Sequence, residues 1–303
     1  NITFDIIQKN LNKKWNWDSI SLNNNITDDI VRNNLDKPWN WNVLSQNNNI
    51  TEHLIQEHLD KPWNWGELSY NPSLTWDFIL NNIDKPWDWR KLSGHINITW
   101  EIIQNNLNIP WTWDGISSNP NITWEIIQNN LDKPWHWWRL SYHSNITWEI
   151  VKNNSHLPWS WTWLSYNSNI TLNIVEKNID KPWNWNYLSN NPNININSIN
   201  RMKEKPWCWS RLCSSSKITL NTIKNNININ FSGLSRNENL TVKYIEQNIY
   251  KDWDWYRLSF NPFNGEYKHI CKKEKSKILD ILTSFVPINM SMDVIKLIND
   301  FNM

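Results

Sequence analysis

The side chains of this 303-residue chain that could ligate a metal or move a proton are seven histidines, three cysteines and 29 acids. A zinc site needs Cys and His at short, regular spacings. Cys208, Cys213 and Cys271 form no Cys-x-x-Cys pair, and His53, His58, His95, His136, His143, His156 and His269 fall at unrelated places. Three unevenly placed cysteines are too few for a disulfide framework and fit a reducing compartment. A phosphate-binding loop needs clustered glycines so that the backbone can approach the ligand, and Gly66, Gly94, Gly115, Gly233 and Gly265 stand apart. The acids Asp36, Asp60, Asp84, Asp132 and Asp180 recur in one setting, each followed by lysine. That is the mark of repeated structural work such as capping and ion pairing, whereas an active site breaks periodicity. The expectation is a protein that is not an enzyme, with no cofactor, no metal and no small-molecule substrate.

The remaining reactive surface is aromatic, and it is periodic. Among 26 tryptophans, Trp15, Trp39, Trp63, Trp87, Trp111, Trp135, Trp159, Trp183 and Trp207 follow one another at steps of 24 residues, each with a second Trp two positions later. Thr3, Thr27, Thr51, Thr75, Thr99, Thr123, Thr147 and Thr171 keep the same step, which skips Asn195 and resumes at Thr219 and Thr241. A fixed period of this length is the signature of a repeat architecture. Eleven units begin near residues 1, 25, 49, 73, 97, 121, 145, 169, 193, 217 and 239. The tenth is two residues short and carries Phe231 where the second Trp belongs; register recovers at Trp253, Trp255 and Leu258. Residues 1–262 thus read as the repeat array and 263–303 as a helical C-terminal cap, with charged residues ahead of Ile278, Ile281 and Leu282 and a break at Pro287. The chain opens without methionine inside a repeat signal, as after processing or with residues upstream.

Each unit must supply the elements that hold these rings. In residues 121–144, Thr123 is a good N-cap, Ile122 and Ile127 have the spacing of a hydrophobic staple, and Glu125 suits the positive end of the helix dipole. Ile127 and Leu131 share a face and Pro134 forbids continuation, which predicts a first helix of about 9 residues. Asp132 as cap with Pro134 near the first helical position predicts a second, short helix. The alternative makes Trp-x-Trp a strand in a leucine-rich-repeat-like α/β horseshoe. Pro before the pair in eight units, and Leu or Ile where that repeat places Asn, weigh against it. Helices this short need neighbours to persist. The expected fold is all-α, a right-handed helical solenoid of about eleven two-helix repeats.

The motif Asp-Lys-Pro-Trp-x-Trp, as at Asp84–Trp89, followed by Leu-Ser and Asn-Pro-Asn-Ile-Thr, resembles the tandem repeats of uncharacterised proteins of large DNA viruses of amoebae. The likeness covers residues 1 to about 262. With 54 asparagines and no alanine, the composition is also similar to those families. The resemblance implies neither an activity nor a catalytic residue. Asn12 and Lys14 depart from the usual Asp and Pro, as does Asn195 at a cap position. A viral chain would be expected in host cytoplasm or virion, since it shows no signal peptide and no membrane-spanning stretch.

The sequons beginning at Asn1, Asn25, Asn49, Asn97, Asn121, Asn145 and Asn169 follow from capping and stapling, so they are expected to be folding signals rather than glycan sites. With 30 basic residues against 29 acidic ones, nothing draws the chain to a nucleic acid or a membrane. The functional signal is a stripe: the position after the Thr cap is Trp76, Trp100, Trp124 and Trp148 in successive units, but Asp28 and Glu52 before them and Leu172 and Ile196 after. Such rings could form a ridge for a partner, extended by Tyr70, Tyr142 and Tyr166. The residue between the paired tryptophans varies as Asp88, Thr112, His136, Ser160, Asn184 and Cys208, as on a recognition surface. The leading expectation is therefore a scaffold that binds a protein partner, and the second is a structural subunit that self-associates into a filament, sheath or particle layer. Single-stranded nucleic acid, stacking on aromatics, lacks its electrostatic funnel because each recurring lysine follows an acid.

Overall fold

A computed structural model describes residues 3–215, 219 and 229–261. Among them are 21 short helices and no strand, so the fold is all-α. The strand of the horseshoe alternative is not there: the first Trp of each pair lies outside the helices and the second opens one, as Trp89 opens Trp89–Ser93. The expected cap over 263–303 lies outside the described residues, as does most of the first half of the tenth repeat. Contacts divide the chain into two compact units, Asn1–Ser160 and Trp161–Met303, a boundary inside the seventh repeat.

The leading helix of a repeat is shorter than the spacing predicts. Trp76–Asn81, Trp100–Asn105 and Trp148–Asn153 have six residues each. Thr starts them as expected: Thr75, Thr99, Thr123 and Thr147 accept from the amide three residues on. Thr27 and Thr171 keep the extended cap backbone without that bond. Asparagine, not proline, stops the helix. Asn82 leaves helical geometry at φ −122° and ψ 34°, and its side-chain amide donates to the Phe78 carbonyl at 3.0 Å, satisfying an acceptor that a further turn would have used. Asn106, Asn130 and Asn154 do the same. Leu131 therefore falls beyond the helix and is exposed rather than paired with Ile127.

The trailing helix starts later than predicted. Asp-Lys-Pro forms a turn in which the Trp87 amide donates back to the Lys85 carbonyl at 2.8 Å, and Asp132 caps nothing. The cap is the residue between the two tryptophans. Asn64 accepts from Glu67 N at 3.0 Å, Asp88 from Lys91 N at 3.1 Å and Thr112 from Gly115 N at 3.2 Å.

Three repeating contacts join neighbouring repeats within each compact unit. The second Trp of one repeat meets the first Trp of the next edge to face, as in Trp41–Trp63 and Trp113–Trp135, both with centroids 5.0 Å apart. The first Trp is itself anchored, Trp87 Nε1 donating to the Asn82 carbonyl at 2.8 Å. The serines at the ends of trailing helices, such as Ser45, Ser69, Ser93 and Ser141, are buried, accept from the cap amide of the next repeat and donate to their own helix. Ser93 Oγ takes Thr112 N at 2.9 Å and gives to the Trp89 carbonyl at 2.6 Å. Two residues later a buried Asn reaches back to the previous repeat, Asn119 Nδ2 donating to the Ser93 and His95 carbonyls there and to the Ile98 carbonyl of its own repeat. Each polar group carried inward thus has a partner, as burial requires.

Candidate functional site

The expected ridge is half-buried. Trp76, Trp100 and Trp124 open their helices and stack on the first Trp of the following repeat, against Trp111, Trp135 and Trp159 at 5.6, 6.0 and 6.0 Å. Phe4 takes the same place against Trp39 at 5.7 Å. Trp148 is likewise half-buried. The acids at this position bind the next threonine instead: Asp28 accepts from the amide and hydroxyl of Thr51, and Glu52 from those of Thr75. Both side-chain types tie one repeat to the next.

The variable residues between the paired tryptophans also do local work. Asp88, Thr112 and Asn184 differ as types yet share cap chemistry, so the variation runs mostly among residues able to accept from a first-turn amide. His136 and Cys208 make no cap bond. His136 instead places Nδ1 3.2 Å from Asp114.

The side chains left wholly or partly at the surface lie elsewhere on the trailing helix, one residue after its opening aromatic, two residues after it where that residue is not a buried glycine, and at the residue that follows Leu-Ser. In the first compact unit these include Arg90, Asp114 and Trp138, then Glu67, Lys91 and Arg139, and finally Tyr70 and Tyr142. Tyr70 is 65% exposed and Tyr142 48%. Lys91 Nζ sits 4.4 Å from the Tyr70 ring centroid, and the Arg139 guanidinium 4.3 Å from that of Trp138. Asp114 is the electrostatic centre. Arg139 grips it through two nitrogens and Arg90 through one. The Arg139 hydrogen bonds, then that of Arg90, pull the carboxyl down to about 2 against the cost of its partial burial. In the second compact unit Tyr166 is half-buried, with its ring 6.2 Å from Tyr187 and its hydroxyl accepting from Asn190 at 3.3 Å. Sequence reasoning found the tyrosines and missed Arg90, Trp138 and Arg139. The signal was available in their registers, which change chemical class from repeat to repeat between a recurring aromatic and a recurring Leu-Ser.

The sequon asparagines are engaged. Asn97 Nδ2 donates to the Pro72 and Leu74 carbonyls, Asn121 Nδ2 to those of Ile96 and Ile98, and Asn145 Nδ2 to those of Pro120 and Ile122. That nitrogen would carry a glycan. Among the described residues no group of three or more His, Cys, Asp or Glu side chains could hold a metal, and no helix is long and apolar enough to cross a membrane. Comparison with protein families, with curated proteins and with solved structures finds no match for this chain.

Proposed function

We propose that the chain is a non-enzymatic repeat scaffold that binds a protein partner through the outer face of its trailing helices. The observation that carries this is the contrast within one element. Inward positions repeat as Trp, Leu and Ser, while outward ones vary through Tyr70, Arg90, Lys91, Asp114, Trp138, Arg139 and Tyr142. Tyr, Trp and Arg are the residue types that concentrate binding energy at protein interfaces. The guanidinium of Arg139 is held in place by Asp114 and Trp138, which lowers the entropy lost on binding. Half-buried Trp76, Trp100, Trp124 and Trp148 would contribute only their open edges.

The test is affinity capture with the chain and with a Tyr70→Ser, Trp138→Ser, Tyr142→Ser variant, beside a control changed at Asp60→Asn and Asp84→Asn. A partner held by the chain and the control and lost by the surface variant, whose thermal transition is unchanged, supports the reading. Equal capture by all three overturns it. Concentration-dependent sedimentation of the chain, lost in the surface variant, would identify the partner as a second copy.

A further inference from the structure

The second compact unit carries a cleft of about 490 Å3 whose walls include Ser210, Arg211, Ser232, Arg236 and Arg257. Its floor depends on Gly233. A Cβ there would meet the Ser210 carbonyl oxygen at 2.3 Å, so glycine alone lets the helix Phe231–Leu234 lie against Trp209–Ser214. The first compact unit uses the same device: a Cβ on Gly115 would meet the Arg90 carbonyl oxygen at 2.3 Å. Register aligns the two places. Gly115 and Gly233 each stand two residues after the aromatic that opens their helix, Asp114 and Ser232 one residue after it, and Arg139 and Arg257 two residues after the opening Trp of the next repeat.

At the first place the Asp114 carboxylate lies between Arg90 and Arg139. At the second, Ser232 holds the register of the carboxylate, Arg257 that of Arg139 and Ser210 that of Arg90, while Arg211 and Arg236 line the cleft besides. Arg257 pairs with Asp254 at 2.8 Å, but Arg211 and Arg236 make no ion pair among the described residues. Arg211 is pre-positioned, its guanidinium 5.5 Å from the centroid of Tyr187, whose ring contacts Trp163 at 5.6 Å. A guanidinium carries its N–H groups in a planar fork that matches a phosphoryl group. Guanidiniums gathered in one cleft repel each other, and an anion between them lowers that cost.

We propose that this cleft binds a phosphoryl oxyanion, either free phosphate or a phosphoserine side chain, among its arginines and beside Ser232, the residue at the register of Asp114. The site is separate from the proposed partner surface of the first compact unit and stands or falls independently of it. The experiment is calorimetric titration of the full chain with inorganic phosphate, with a phosphoserine peptide and with its unphosphorylated form, against sodium chloride at matched ionic strength. Saturable binding of a phosphorylated probe is expected, weakened about tenfold by Arg236→Gln, which changes an exposed side chain. Ser232→Asp would supply the carboxylate internally, abolishing binding while raising the thermal midpoint in phosphate-free buffer. Tighter binding of the phosphopeptide than of phosphate would assign the anion to a presented side chain, and equal binding to the free ion. Binding of neither beyond the chloride control, or binding indifferent to both substitutions, overturns the proposal.

Discussion

His95 and His143 occupy the register that other repeats fill with a buried asparagine, and they imitate its bonding. His95 Nε2 contacts the Asn71 carbonyl at 2.8 Å while Nδ1 faces the Asn97 amide at 3.2 Å; His143 repeats the pattern with Asn119 and Asn145. An amide donor on one side and a carbonyl acceptor on the other fix a neutral ring with its proton on Nε2. Burial pushes both imidazoles below their ordinary value of 6.5, against a smaller opposing effect of the carbonyl bond. As pH falls through that value the unfolded chain takes up protons that the folded chain resists, so stability is full above it and declines toward the lowered folded value. The urea midpoint of the chain should therefore fall between pH 7.5 and pH 5, and His95→Asn with His143→Asn should fall less, asparagine being the residue of neighbouring repeats. An equal fall in both proteins would remove these rings from the acid response. The serine ladder gives a second prediction at this scale. Ser93→Ala deletes the acceptor of Thr112 N, and the stranded amide should cost about 1–3 kcal/mol by denaturant titration.

Within a trailing helix of four to six residues, the cap is a large part of what starts it. Cys208 sits at that position and makes no cap bond, whereas Asn184 one repeat earlier accepts from Tyr187 N at 3.2 Å. Cys208→Asn should therefore stabilise the chain by about 0.5–2 kcal/mol in thermal or urea unfolding, and a neutral or negative change would show that the cap is dispensable in this array. Leading helices make the complementary case. Trp124→Ser breaks the stack on Trp159 and should lose at least the roughly 0.5–1.5 kcal/mol of an aromatic pair. The existence, order and apolar face of both helices were legible in the period and in Thr123, Ile122 and Ile127. Their ends were not. Pro134 is a visible breaker, yet Asn130 closes the helix earlier through its side-chain amide, and an asparagine that caps is indistinguishable in sequence from one that faces solvent. The capping role of the residues between the paired tryptophans was hidden for the same reason: Asp88 and Thr112 vary, but variation among cap-competent residues is constraint, and only geometry separates the two.

Contacts that link repeats in the first compact unit join a repeat to the adjacent one, as Ser69 to Asp88, Trp65 to Trp87 and Trp76 to Trp111. Stability of such a chain is close to a sum of repeat and nearest-neighbour contributions, so the sequence distance between two joined surfaces matters less than their register. Excising residues 73–96 would bring Asn71 and Pro72 directly to Asn97, Ile98 and Thr99, reproducing the junction from Asn119 to Thr123. Trp111 would then face Trp65 as it now faces Trp89. The shortened protein should keep its helical signal per residue and unfold in one cooperative transition. Excising only residues 73–84 removes half the repeat, places a Pro-Trp segment where a leading helix must stand, and breaks the Trp, Ser and Asn ladders together. Circular dichroism and thermal melting of the two deletions compare register with length directly. If removing the whole 24-residue repeat proves as damaging as removing half of it, the repeats are not interchangeable supports and the nearest-neighbour description fails.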